Sequence, residues 1–549
     1  MKKNIEFGYD ARLKLMKGIK KIADSVSITL GPKGRNVIIE KNGGLKILIT
    51  KDGVTVAREI ELEDPIENIG CQIIKEAATK TSDDAGDGTT TATVLAYCIV
   101  EKGLKTTTTG VNPIDLKRGI DKAVKKVVEN LDKMSIEVGN DFEKIRQVAT
   151  ISANNDSEIG DKITEAMISV GTTGVITIED ASGLETTLET VKGMKLDRGY
   201  ISPYFITDSD KMEVVLENPY IIIHEEKISS IHNLVPILEL ILKTGRSVFI
   251  IADTLENEAL GPLVMNKMQK TLKVAAIKAP GFGDRRKDLL EDIAVLTGGN
   301  LISEVKGNKL ETIKLEDLGT CDKIIVNNNS TIIVGGKGSP ENIKDRINQI
   351  NNQIENNKND YDKQKNESRL ANLTGGICVI NVGASSEIEL KEKKDRFDDA
   401  LHATKAAVEE GIVPGGGVAY IRCIDCLDEL ETSNEDEKIG IDIIRKCLEE
   451  PLRKIIENSG KESSVILNNV KNSLPDVGRS GKIETLDWGY DAHKEEYGNL
   501  FDLGIIDPKK VTRVALENAA SVAGLFLTTE CVVSEIRKKD IDDEKLPPM

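Results

Sequence analysis

Apolar positions along the N-terminal part of the chain recur at helical spacing. Residues 9–28, 65–84, 88–107 and 112–133 each carry this pattern with few breakers, which predicts four helices. In the third, Ala92, Leu95, Ala96, Ile99 and Gly103 form one stripe, the mark of a single buried face. Two short apolar runs, Val37–Ile39 and Ile47–Ile49, interrupt the helical texture as strands. From residue 175 the pattern changes. Val175–Ile178, Tyr220–Ile223, Ser247–Ile251 and Val274–Ile277 are strand-like, and helical stretches separate the later ones, which predicts an α/β middle. Helical texture returns near 395 and lasts to about 537. Helical blocks at both ends of an α/β middle hint at a discontinuous domain. Residues 341–373 are rich in Asn, yet Ile343, Ile347, Ile350 and Ile354 keep a heptad-like spacing, with Tyr361 seven further on. That seam predicts a packed helix hairpin in place of low complexity. Residues 540–549 are charged, contain two prolines and read as a loose tail.

Composition narrows the classes. At roughly 150 residues per domain, 549 residues suggest three to four domains. A net charge of −17 and only 3% aromatic residues argue against general nucleic-acid binding and base stacking. No apolar run approaches the ~18 residues of a membrane span, and the N-terminus lacks the pattern of a leader. Membrane and secreted classes are therefore excluded, and a cytoplasmic location is expected. Eight scattered cysteines fit a reducing compartment. Cys423 and Cys426 have metal-like spacing but no second pair nearby, and residues 419–430 read as a helix with buried thiols.

The common nucleotide and hydrolase motifs are missing: no G-x-x-x-x-G-K-[ST], H-E-x-x-H or G-x-S-x-G occurs, and the chain has four histidines. Pro280–Arg286 resembles a glycine-rich phosphate loop but is explained equally by a turn after a strand. Gly86-Asp-Gly-Thr-Thr-Thr91 is more informative. It opens a helix with three β-branched residues, a poor choice unless their hydroxyls and the free amides face an anion. Gly86 and Gly88 would let backbone approach a phosphate, and Asp87 could hold a divalent cation beside it. Thr29–Gly34, the Asp52-Gly53 turn signal and the glycine-dense Gly411–Gly417 are further loops facing a ligand or ending an element. They can form one site only if the two helical blocks make one domain.

Together these strings resemble the GroEL-type group I chaperonins. The resemblance rests on Val26-Ser-Ile-Thr-Leu-Gly-Pro-Lys-Gly-Arg-Asn36, Thr50-Lys-Asp-Gly53, Ala85–Val94, Asp197-Arg-Gly-Tyr-Ile-Ser-Pro-Tyr-Phe205, Lys278–Arg286, Asp399-Ala-Leu-His-Ala-Thr404 and Ala519–Gly524. It runs from about residue 4 to about 537. It implies a multi-domain α and α/β fold: a mainly helical, discontinuous equatorial ATPase domain (1–136 and 410–538), a small intermediate hinge domain (137–190 and 376–409) and an α/β apical domain (191–375), followed by the tail 539–549. It also implies two stacked seven-membered rings, ATP hydrolysis, and enclosure of non-native polypeptide under a GroES-type lid in the bacterial cytoplasm, with no nucleic-acid or membrane partner.

Carried over by residue, the resemblance places Thr29, Leu30, Gly31, Pro32, Lys51, Asp87, Gly88, Thr89, Thr90 and Thr91 around the phosphates. Asp87 would hold Mg²⁺, and Thr29, Lys51 and Thr90 would lie by K⁺. Gly415 and Asp507 would contact the nucleoside end, with Asp491, Ala492 and His493 on the adenine side. Asp52 and Asp399 would orient and activate water; residue pattern alone does not choose Asp399 over Asp398. Tyr200, Tyr204, Phe205, Val235, Leu238, Leu260, Val264 and Met265 would line an apical face that grips polypeptide and lid. Leu260, Val264 and Met265, like Val235 and Leu238, share a helix side, with Pro262 expected to start or kink the second helix.

Three features depart from the family: Asp491-Ala-His493 replaces Asn-Ala-Ala, extra residues lie within 471–487, and a Gly-Gly-Met tail is missing. The competing classes are a binding protein that keeps the fold without efficient turnover, and an unrelated phosphohydrolase using only Gly86–Thr91.

Overall fold

A computed structural model describes residues 3–41, 46–172, 174–181, 183–209, 211–303, 308–356, 360–472 and 487–535. The expected loose tail and most of the extra stretch within 471–487 lie outside them. The chain divides into two compact units, Met1–Ile168 with Ile178–Thr187 and Val382–Met549, and Ser169–Thr177 with Leu188–Asn381. The expected hinge segments fall mostly in the first, with 169–177, 188–190 and 376–381 in the second.

The first unit is a helical assembly whose core draws on both ends of the chain. The four predicted helices form as Gly8–Ser27, Pro65–Ala85, Thr89–Thr107 and Pro113–Met134. The second and fourth start with an Asp64 or Asn112 cap and proline in the first turn, which removes an amide that would lack a partner anyway. Glu435–Cys447 packs on Pro113–Met134, and Lys509–Leu527 on Thr89–Thr107. Glycines set how closely the backbones cross. A Cβ at Gly119 would lie 2.0 Å from the Glu437 carbonyl oxygen, and one at Gly440 would lie 2.3 Å from that of Leu116. The chain ends also meet, since Lys3–Phe7 pairs antiparallel with Cys531–Glu535.

Several expectations need correction here. The stretch from 395 to 537 is not helical throughout: Ile412–Pro414 pairs with Ile506–Pro508, Trp488–Asp491 with Glu496–Asn499, and Cys531–Glu535 is a strand. Residues 419–430 are not one helix but a short one, Val418–Arg422, followed by a 3₁₀ turn, Asp425–Glu429. The Cys426 thiol donates to the Cys423 carbonyl at 2.9 Å, an interaction that completes a turn. The Asp52-Gly53 turn signal falls at the start of a helix. Asp52 caps the helix Gly53–Glu59, accepting from the amides of Val54 and Thr55.

The second unit carries the α/β pattern. Val274–Lys278, Val248–Ala252, Tyr220–His224 and Leu301–Ile302 form a parallel sheet in that order, with Gly319–Thr320 added antiparallel to Tyr220–His224. Every residue of Val248–Ala252 is buried, as expected of a central parallel strand covered on both faces. A second, antiparallel sheet runs Gly193–Leu196, Thr331–Val334, Lys323–Val326, Val214–Glu217, and the sequence reading did not predict it.

The Asn-rich region forms the helices Pro340–Asn356 and Asp360–Thr374, which pack together with Ile343 and Ile350 buried; the Tyr361 side chain lies outside the described ones. One buried carboxylate anchors this hairpin to the helix Asp284–Thr297. Asp292 accepts from Arg346 Nε at 2.7 Å, Arg369 Nε at 2.8 Å and Arg369 Nη2 at 3.0 Å. Removing one partner of a buried ion cluster typically costs about 3–5 kcal/mol, because the remaining charges lose compensation. Asp292→Ala should therefore expose the hairpin to protease and lower the denaturant midpoint. An unchanged midpoint would mean the arginines are solvated as well without it.

Candidate functional site

In the first unit a cavity of about 430 Å³ is built from loops that are distant in sequence. Thr29–Pro32, Lys51–Gly53, Asp87–Thr91, Asp399, Asp491–Lys494 and Asp507 all line it. Every expected phosphate-side, catalytic and adenine-side residue is thus on its wall. Gly415 is the exception. Its neighbours Gly416 and Gly417 line the cavity, and their amides donate to the Asp507 carboxylate.

Local backbone geometry explains how Asp87 is presented. Gly86 ends the helix Pro65–Ala85 at φ 72°, and Gly88 caps the helix Thr89–Thr107 at φ 80°. Both values are left-handed and suit glycine. With Gly88 at the cap, no side chain satisfies the first amides of Thr89–Thr107, so its N-terminus opens toward the cavity as an anion site. Two close approaches then gather the carboxylates. A Cβ at Gly53 would stand 2.2 Å from Thr90 Oγ1, and one at Gly86 would stand 2.3 Å from His402 Cβ, on the helix Glu387–Glu410 that carries Asp399.

Five carboxylates, Asp52, Asp87, Asp399, Asp491 and Asp507, therefore share one cavity, and burial and mutual repulsion act on three of them. Asp87 accepts from its neighbouring Gly88 amide and from Ser152 Oγ at 2.8 Å, yet burial still raises its pKa. Asp399 is raised well above the carboxylate range by burial first, then by Asp52 and Asp87. Asp507 is pushed up to about 7 by burial and by Asp87, against the two glycine amides. A cation entering this cavity would relieve all three.

The Asp507 shift has a testable sign. Its folded pKa lies above its ordinary 3.8, so the protonated form stabilises the ligand-free fold, fully below about 4 and progressively less as pH rises through 7. Wild type should lose melting temperature relative to Asp507→Asn between pH 5 and pH 7, and the difference should level off above. A difference that stays flat with pH would place Asp507 in contact with solvent.

The residues fit the expected ions in different ways. Asp87 offers hard oxygen donors, but among the described residues no group of three His, Cys, Asp or Glu could hold a metal alone. That suits Mg²⁺, which keeps waters and takes phosphate oxygens. Thr29 Oγ1 lies 3.3 Å from Thr90 Oγ1, so two hydroxyl oxygens converge. Lys51 can serve a cation only through its carbonyl oxygen.

Asp491 is buried, and its Oδ1 accepts from the amides of His493 and Lys494, so it shapes its own turn. Ser152, Asn154 and Asn155, which no motif singled out, also line the cavity. Asn154 and Asn155 are consecutive left-handed residues, at φ 59° and 66°. Asn-Asn after a helical pattern was the available signal.

In the second unit the residues expected to grip polypeptide divide. Tyr204 and Met265 are 62% and 54% exposed, and Val235 is also exposed. Tyr200, Leu238, Leu260 and Val264 are half-buried against the core. Phe205 is fully buried and belongs to the core, contrary to expectation: it ends the 3₁₀ turn Pro203–Phe205 with its ring inward. The helix around Pro262 begins earlier, at Asn257, so the proline lies inside it. Asn257 and Glu258 at its start are exposed, and Ala259 and Leu263 face inward.

The fold resembles solved structures of the chaperonin gp146 from the bacteriophage EL 2 (Pseudomonas aeruginosa), determined in the presence of ATP-BeFx. One crystal form matches with a TM-score of 0.67 at 23% identity, over 97% of this chain and 99% of that one. A second form matches with a TM-score of 0.62 at the same identity and coverage. The model of the TCP-1/cpn60 chaperonin family matches residues 22–537. With that match spanning both helical blocks and the α/β middle between them, the chain belongs to the TCP-1/cpn60 chaperonin family.

Proposed function

We propose that this chaperonin hydrolyses ATP and uses the cycle to capture non-native polypeptide and enclose it in a ring of its own copies. Two stacked seven-membered rings, a GroES-type lid and the bacterial cytoplasm belong to the same proposal. The observation that carries it is the convergence of an uncapped helix N-terminus with Asp52, Asp87, Asp399 and Asp507 on one cavity. The presence of ATP-BeFx with the structurally similar gp146 supports the nucleotide.

The amides and hydroxyls of Thr89–Thr91 receive phosphate oxygens at the positive end of their helix. Mg²⁺ held by Asp87 would neutralise phosphate charge, with K⁺ beside Thr29 and Thr90. Asp399 accepts a proton from the attacking water; burial and the neighbouring Asp52 and Asp87 raise its pKa in the ligand-free cavity, and a cation held beside it would leave it ionised for that role. Asp52 is suited to orienting that water. Its two oxygens already accept from Val54 N, Thr55 N and Thr55 Oγ1, which pins the carboxylate in place.

Measuring phosphate release with each ion omitted in turn, alongside negative-stain images with and without ATP and lid, tests the proposal. Ion-dependent turnover and seven-fold rings that gain a cap are expected. Rings without turnover would leave a protein that only binds polypeptide.

A further inference from the structure

We propose that Glu495 is a positioning residue that pins the base-side wall of the nucleotide cavity to its phosphate-side wall and so sets how fast nucleotide leaves. The inference rests on the nucleotide reading of the cavity. One wall is Thr29–Pro32 and the other is Asp491–Lys494, the turn of the hairpin Trp488–Asn499. The next residue along each wall is charged, and the two meet: Lys33 Nζ lies 2.6 Å from Glu495 Oε1. The second oxygen of Glu495 takes Lys461 Nζ at 2.6 Å, just past the end of the helix Glu450–Asn458. One carboxylate thus ties three elements together at the rim.

The backbone supports a role for this side chain. Glu495 is held at φ 64°, a left-handed conformation in which glycine would sit without strain. The rest of the turn is satisfied internally. Asp491 Oδ1 accepts from His493 N and Lys494 N, and the Asp491 carbonyl accepts from Glu495 N at 2.8 Å. The turn is therefore a closed unit, seated on the core through Tyr490 and Ala492, and the two lysine contacts tie its exposed end to the opposite wall. Without the carboxylate, Lys33 and Lys461 would also face each other as like charges. Both ion pairs are partly exposed, so dissolved salt screens them. The two lysines hold the Glu495 carboxyl down at about 2, so the pin stays charged across any working pH.

The test is stopped-flow release of a fluorescent ADP analogue from the full-length assembled protein, at low and high salt. Glu495→Gly keeps the left-handed backbone while removing the pin, and Glu495→Gln keeps the size while removing the charge. Both should release the analogue about three- to tenfold faster at low salt, the range open to exposed ion pairs. Wild-type release should accelerate with salt toward the variants' rate, which itself should stay nearly constant. A merely structural role for Glu495 would not produce that convergence. Unchanged release in both variants, or a salt response that persists in them, would overturn the pin alone. Failure of wild type to bind the analogue at all would overturn the nucleotide reading and the pin with it.

Discussion

Asp399→Ala should bind ATP normally and hydrolyse it about 10²- to 10⁴-fold more slowly, the contribution of a positioned general base. The expectation follows from where Asp399 sits. It projects from the helix Glu387–Glu410 into the same cavity as the phosphate-side loops, yet it is not part of the helix N-terminus that offers amides to phosphate. Its removal also takes away a buried carboxyl with a raised pKa, so the fold should not suffer. Single-turnover hydrolysis with quantified nucleotide binding separates the steps. Near-normal turnover would move the base elsewhere on the wall. Asp87→Ala should differ in kind, losing Mg²⁺-dependent ATP affinity together with rate, because that carboxylate is placed to hold the ion.

Met265→Glu and Tyr204→Glu should each weaken capture of a denatured polypeptide while leaving rings and ATP hydrolysis intact. Both side chains are more than half exposed, so charge there does not enter the core. Covering a methionine-sized apolar side chain is worth about 1.5–3 kcal/mol, which corresponds to roughly ten- to a hundredfold in affinity for each anchor. Leu238 and Val264 are poorer test sites, since both are half-buried against the core and a glutamate would also strain packing. Capture of an unfolded, labelled client in the absence of ATP gives the readout. Capture that survives both changes would mean the polypeptide surface lies elsewhere.

Much of the fold was legible from residue pattern. The four N-terminal helices and the strands from 37 to 49 form within a few residues of their expected bounds. So do the central parallel strands, because a helical stripe or a run of β-branched residues reports burial directly. The antiparallel strands Gly193–Leu196 and Val214–Glu217 were not legible. Each is four residues long, and their pairing with Thr331–Val334 and Lys323–Val326 joins segments more than a hundred residues apart. Cys531–Glu535 followed a strong helix and was read as its continuation, though its partner, Lys3–Phe7, lies at the other end of the chain.

The site divides along the same line. The residues alone pointed to Gly86–Thr91 as an anion-binding helix start, because local backbone geometry and amide exposure belong to one segment. Which carboxylates join it is not a local property. Asp399 and Asp398 are chemically identical neighbours, and only the packing of the helix Glu387–Glu410 against Gly86 turns the former onto the cavity. Asp52-Gly53 carries the signal of a tight turn, yet in the fold the Asp52 side chain caps a helix. Phe205 and Tyr204 are adjacent aromatics, yet one is core and the other is surface. A residue type and its spacing determine what chemistry a segment can offer. Burial and convergence are set by contacts between distant segments, so they decide which of those offers the folded protein uses.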